Sequence, residues 1–151
     1  MKKLFYVFLL SISLSLSGCA AWFDLLRTNP VAGMSSGVDY IRTALSLAKG
    51  AFEIWATSNP EGSADARSRF NEISSNVDRG LLAAQDGLRL ASHAGGAAPD
   101  MNALLKDAQQ AIGSVNGFLS GLPGNGPGRA ANPTMREALI ATEAASKPLA
   151  Y

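Results

Sequence analysis

The chain has 151 residues, with 13 Lys+Arg against 12 Asp+Glu, and 47% of its side chains are hydrophobic. That near-neutral balance excludes the electrostatic footprint of a nucleic-acid binder, and the single cysteine has no disulfide partner. The length suits one small domain, and a composition rich in alanine, glycine, serine and leucine favours helices packed closely through small side chains.

The first element is Met1-Lys2-Lys3 followed by an apolar run over residues 4–16, then Ser17, Gly18 and Cys19. A basic head, an apolar core and small residues before a cut site are the features of an export signal. A helix over 4–16 would span roughly 20 Å, short of the ~30 Å hydrocarbon core, so a permanent transmembrane anchor is not expected. The two lysines orient the segment by staying on the cytoplasmic side.

The tetrad Leu16-Ser17-Gly18-Cys19 resembles the lipobox of bacterial lipoproteins. The resemblance covers residues 1–20 and names no family for the rest of the chain. It implies a diacylglyceryl group on the Cys19 thiol, cleavage between Gly18 and Cys19, and acylation of the new amino group. Each buried methylene contributes about 0.8 kcal/mol; one chain anchors marginally, and three make a stable tether. Ala20 stands where an Asp would imply retention in the inner membrane, so the resemblance implies the periplasmic face of the outer membrane. Removing residues 1–18 takes Lys2 and Lys3 away and leaves 11 basic against 12 acidic side chains, a net charge of about −1.

Residues 19–35 read as a lipidated, membrane-proximal segment. Trp22 and Phe23 stand directly after the lipid site, where aromatic rings suit the headgroup level of a bilayer; folding back into the domain core is the other reading. Three Asn-Pro pairs follow along the chain, at Asn29-Pro30, Asn59-Pro60 and Asn132-Pro133. Each reads as a helix start, with Asn as N-cap and Pro at the first helical position.

Residues 36–122 read as a helical bundle. The first helix is expected over 36–57, opened by Ser36 and Asp39 at capping-box spacing. Its stripe is Val38, Ile41, Leu45, Ala48, Phe52 and Trp55. The second is expected over 60–93, with 60–66 open to being a loop. Its stripe is Phe70, Ile73, Val77, Leu81, Ala84, Leu88 and Ala91, and Gly62, Gly80 and Gly87 are weak points. The third, from 99–100 to 122, carries Met101, Leu104, Ala108, Ala111, Val115, Phe118 and Leu122, with Leu105, Ile112 and Leu119 widening the face. A Gly/Pro-rich linker is expected over 123–132. A last helix within 133–151 has Met135, Leu139 and Thr142 facing inward and stops at Pro148. No stretch alternates as a strand would. The expected fold is all-α: a small antiparallel bundle of three long helices plus a shorter C-terminal one.

Two motifs invite chemistry. Gly33-Met34-Ser35-Ser36-Gly37 matches G-x-S-x-G, but a nucleophile elbow needs a preceding strand, a histidine base and an acid. His93 is the only histidine, Asp65 or Asp78 would have to be the acid, and no strand is expected before Gly33, so Ser35 reads as part of a turn. Gly113, Gly117 and Gly121 form a small-residue face that lets another backbone approach, either inside the bundle or in helix association. No catalytic, cofactor-binding or metal-binding constellation is expected; the glycine-rich linker lacks the Lys-Ser/Thr of a phosphate loop.

The expectation is a non-enzymatic lipoprotein with no cofactor, held to the membrane by Cys19. Its role would be adaptor, scaffold or inhibitor of a protein partner in the cell envelope. The alternatives are a membrane-active or self-associating lipoprotein of lysis or superinfection-exclusion type, using the Gly113/Gly117/Gly121 face as a homo-oligomer contact, and an envelope hydrolase using Ser35.

Overall fold

The computed structural model describes residues 30–94, 100–125 and 132–148. Every regular element among them is helical: α1 (Pro30–Ser58), a 3-10 turn (Pro60–Gly62), α2 (Ser63–Ala94), α3 (Met101–Ser120) and α4 (Pro133–Ala145). α1 and α3 each touch every other helix, whereas α2 and α4 do not touch each other.

α1 begins earlier than its capping signal suggests. Met34 lies four residues before Val38 and is 1% exposed, so the apolar stripe runs one turn further back. Burial of that turn overrides the low helix propensity of Gly33 and Gly37. Ser36 is therefore a half-buried residue inside the helix, not its cap, and residues 30–35 belong to the helical domain. All six expected stripe residues of α1, from Val38 to Trp55, are buried.

The Asn-Pro pairs do not act alike. Asn132 caps α4, its side-chain oxygen accepting from the Met135 N–H at 2.8 Å. Asn59 makes no such bond; its amide donates back to the Trp55 carbonyl at 2.9 Å and so closes the end of α1. Pro60 opens the 3-10 turn, and α2 proper starts at Ser63, whose hydroxyl donates to the Pro60 carbonyl. Asn29 lies outside the described residues. α3 starts behind Asp100, which accepts from the Ala103 N–H.

In α2, Phe70, Val77, Leu81 and Ala84 are buried, and Ile73, Leu88 and Ala91 are half-buried. The face of α3 is rotated from its expected centre. Leu105, Ile112 and Leu119, expected only to widen it, are at most 1% exposed, while Ala111 and Phe118 are half-buried. The reason is that α3 is covered by three helices rather than by one. The side chains of Met101 and Leu104 lie outside the described residues.

Gly80 marks a close helix crossing and is not a weak point. A Cβ placed there would lie 2.8 Å from both Cα and N of Ala108, a contact with backbone that cannot move aside cheaply. Glycine on α2 and alanine on α3 let the two helices cross almost backbone to backbone.

α4 is held by polar bonds as well as burial. Thr142 is fully buried; its hydroxyl donates to the Ala138 carbonyl and accepts from the Asn116 amide at 2.8 Å. The same Asn116 amide donates to the Leu139 carbonyl at 2.7 Å, and the Gln109 amide reaches the Lys147 carbonyl at 3.0 Å. Met135, Ala138 and Ala145 supply the apolar contact, and Leu139 is half-buried. The exposed pairs Lys49–Asp78 and Arg67–Glu53 join α1 to α2 and contribute at most about 1 kcal/mol each.

A pair of glycine substitutions separates helix propensity from clearance. At Gly50 a Cβ meets nothing within 4 Å, so Gly50→Ala should stabilise by about 0.5–1 kcal/mol. At Gly80 the same change should destabilise by about 1–3 kcal/mol through overpacking. Urea titration of both variants reads the opposite signs; a Gly80→Ala variant as stable as the parent would refute the close crossing.

Candidate functional site

The ends of three helices meet around Trp55. Phe52 and Trp55 lie one turn apart at the end of α1, Phe70 lies two turns into α2, and Phe118 lies near the end of α3. Phe52 stacks on Phe70 with ring centroids 4.2 Å apart, and Phe118 tilts against both at 5.9 and 5.8 Å. Each such contact is worth about 0.5–1.5 kcal/mol beyond the area it buries. Trp55 is 4% exposed and places its indole N–H on the Pro123 carbonyl at 3.1 Å. That bond ties the chain leaving α3 to the end of α1.

Beyond this aromatic cluster an open groove of about 870 Å³ runs between the 3-10 turn, the first turns of α2 and the end of α3. Phe118, Leu122 and Pro123 give it an apolar side, and Glu61, Asp65 and Arg69 stand around its rim. None of those three charges forms an ion pair among the described residues. Gly124, at φ +86°, takes the left-handed conformation that turns the chain after α3. The Asn125 amide donates back to the Leu119 carbonyl at 3.1 Å, so residues 121–125, the last three of them from the expected linker, form an ordered turn.

The expected glycine face splits at this groove. Gly113 is half-buried, and a Cβ on it would sit 3.4 Å from Cβ of Ser146, in ordinary contact beside α4. Gly117 and Gly121 are exposed and line the groove. A Cβ on Gly117 would meet nothing within 4 Å, and one on Gly121 only the carbonyls of its own helix. Close packing inside the domain therefore explains Gly113 at most.

The residues of the hydrolase alternative are not brought together. Ser35 is an exposed residue of α1, and no strand precedes it among the described residues. His93 is exposed in the last turn of α2, its Nδ1 lying 2.8 Å from the Arg89 carbonyl. Asp65 lies in the first turn of the same helix, about 40 Å away along its axis. Asp78 is paired with Lys49. Among the described residues no group of three or more His, Cys, Asp or Glu side chains could hold a metal ion. Gly18, Cys19, Trp22 and Phe23 lie outside the described residues.

Sequence reasoning did not find the groove. The signal was present in part: a tryptophan one turn before an Asn-Pro break, and the third expected helix ending at Gly121-Leu122-Pro123. Nothing in those segments alone says that the two ends meet. No family model, curated protein or solved structure matches the chain.

Trp55→Phe keeps an aromatic ring and removes the donor to Pro123. Denaturant melts should show a loss of about 1–3 kcal/mol from the missing hydrogen bond and the cavity left by the smaller ring. Limited proteolysis should cut faster within residues 122–125, and an unchanged cutting rate would show that the indole bond does not hold this turn.

Proposed function

We propose that the chain is a lipoprotein anchored through Cys19 on the periplasmic face of an outer membrane, with a helical domain that binds a protein partner of the envelope. Adaptor, scaffold and inhibitor are the roles open to such a domain. The observation that carries this reading is the tetrad Leu16-Ser17-Gly18-Cys19 behind a basic head and an apolar run, with the chain's only cysteine at its end. Among the described residues no helix is long and apolar enough to cross a membrane, and in this reading attachment rests on the lipid, with Trp22 and Phe23 at the membrane interface.

The domain is read as an antiparallel bundle, three long helices and a short fourth. Contacts running in opposite order along neighbouring helices support it: Phe70 with Phe118 and Gly80 with Ala108, then Gln109 with Lys147 and Asn116 with Leu139. The tether then enters at the start of α1, and the groove lies at its other end, about 38 Å along the helix. Such an arrangement presents the groove to a periplasmic partner rather than to the bilayer. Anchoring confines both proteins to one surface and raises their effective concentration, so a modest contact area suffices.

The open surface at Gly117 and Gly121 favours a second reading. Gly117 and Gly121, which no other helix among the described residues covers, suit association with another helix, either of a second copy or of a membrane-active assembly. Gly117→Leu projects a bulky side chain from that surface into open space. Loss of self-association or of liposome leakage in this variant, with an unchanged melting temperature, would support the second reading; a wild type that is monomeric and inert towards liposomes would dispose of it.

For the anchor, Cys19→Ser is the decisive change. Wild-type protein should incorporate labelled palmitate, partition into the detergent phase and fractionate with the outer membrane. The variant should stay unlabelled and uncleaved, and leave that fraction. A variant that keeps its localisation, or wild-type protein with an unmodified residue 19 by mass spectrometry, would refute the lipoprotein reading.

A further inference from the structure

α1 carries two seams. One is the buried stripe from Val38 to Trp55. The other is Tyr40, Thr43, Leu47, Gly50, Ile54 and Thr57, which step strictly by three and four residues, the spacing of a coiled-coil seam. This second seam is open. Tyr40 and Ile54 are 45% and 46% exposed, Thr43, Gly50 and Thr57 are exposed, and Leu47 is half-buried. A Cβ on Gly50 would meet nothing within 4 Å.

The seam is suited to a dry contact. α1 has four charged side chains; none stands on the seam and all are in ion pairs. Asp39 pairs with Arg42, Lys49 with Asp78 of α2, and Glu53 with Arg67 of α2. The two hydroxyls of the seam are satisfied inside the helix, Thr43 donating to the Asp39 carbonyl and Thr57 to the Glu53 carbonyl, each at 2.8 Å. Covering them leaves neither donor unpaired. A strongly charged partner finds nothing here to pair with, whereas an equally uncharged helix face loses nothing on contact.

Large and small residues alternate along the seam, and the alternation is complementary to itself in reverse. A two-fold axis between Leu47 and Gly50 lays Leu47 on Gly50 of the other copy, Ile54 on Thr43, and Tyr40 on Thr57. Every level then holds one large and one small residue, the arrangement that interdigitates without voids. A parallel pairing instead sets Leu47 against Leu47 and leaves glycine facing glycine. Two-fold pairing also uses one patch on both copies, the commonest symmetry of protein dimers.

We propose that two copies of this chain pair antiparallel through this seam of α1, a surface distinct from the groove and from Gly117 and Gly121. From Tyr40 to Thr57 the seam is about 26 Å long. One helix face of that length falls short of the ~800 Å² per partner of a standard interface, so the dimer is reversible. The pairing does not depend on the anchor. With both copies tethered to one membrane, it would lay α1 along the surface, and the upright arrangement would belong to the monomer.

The test is sedimentation velocity of the purified full-length chain in mild detergent across a dilution series. The parent should pass from monomer to dimer as its concentration rises. Gly50→Glu projects a charge into open space, so its melting temperature in dilute solution should be no lower than the parent's. In the dimer that charge is buried without a partner and should weaken association by about tenfold or more. Gly117→Leu should leave the dimer intact. A parent that stays monomeric at its highest concentration would overturn the proposal, as would a dimer that survives Gly50→Glu but not Gly117→Leu. So would a monomeric parent that binds phosphatidylcholine vesicles and loses them in Gly50→Glu, which assigns the seam to a lipid surface.

Orientation is read by crosslinking. Thr43→Cys and Ile54→Cys proteins, oxidised as a mixture, should yield a disulfide between residues 43 and 54 in peptide mass spectrometry. Neither should crosslink to its own position, because like positions lie roughly 16 Å apart along the antiparallel axes. Disulfides joining 43 to 43 or 54 to 54 would mark a parallel pair and refute the two-fold register.

Discussion

The fold depends on one steric clearance, the crossing of α2 over α3 at Gly80 and Ala108. Where a Cβ would sit 2.8 Å from backbone, nothing larger than hydrogen fits, and the spacing of the two helices is set there. Ten residues away along both helices stand Phe70 and Phe118, with ring centroids 5.8 Å apart. Interhelical distance follows the side chains at the contact, so helices that touch at the glycine must separate toward the phenylalanines, roughly 15 Å along. Phe52 of α1 fills that widening wedge by stacking on Phe70. The groove begins where the rings stop and Gly117 and Gly121 offer no side chain to continue the filling. A close crossing at one level and an open cleft at another are two results of the same geometry.

Polar bonds do a different task on the other side of α3. α4 has 13 residues, too few for a stable helix in isolation, and depends on what it packs against. Its apolar contacts are mostly alanines, which slide past one another with little penalty. Asn116 and Gln109 remove that freedom, because each reaches a specific carbonyl and a shift of α4 would leave buried polar groups unpaired. Thr142 completes the network from the α4 side. Hydrophobic burial brings α4 to the domain, and this network selects its register.

In the proposed reading a tether would join the start of α1 while the groove lies at its other end, which would give the molecule a direction. The start of α1 would receive that tether; the far end carries the aromatic cluster, the rim charges and the turn stabilised by Asn125. A binding surface built on helix ends and a short turn changes shape more readily than one built on helix faces. Its walls hang on single hydrogen bonds, such as the indole bond from Trp55, instead of on a continuous ladder.

What could be read from residues alone was whatever depends on near neighbours in the chain. Apolar spacing of three and four residues is local, so the stripes of α1 and α2 and the all-helical character were legible. The cap at Asn132 was legible for the same reason. Features that depend on which helix lies opposite were hidden. Gly80 looked like a flaw until Ala108 was placed against it. Asn59 had the composition of a cap, but the backbone after it turned as a 3-10 helix and its amide folded back. Ser36 had the spacing of a capping box, yet Met34 had a core to enter. The face of α3 was broad enough for several orientations, and only the presence of helices on three sides chose Leu105, Ile112 and Leu119 as its centre. Helix type is decided within a few residues by periodicity and propensity; clearances, register and the groove arise from contacts between segments far apart in the chain, and only the tertiary structure could decide those.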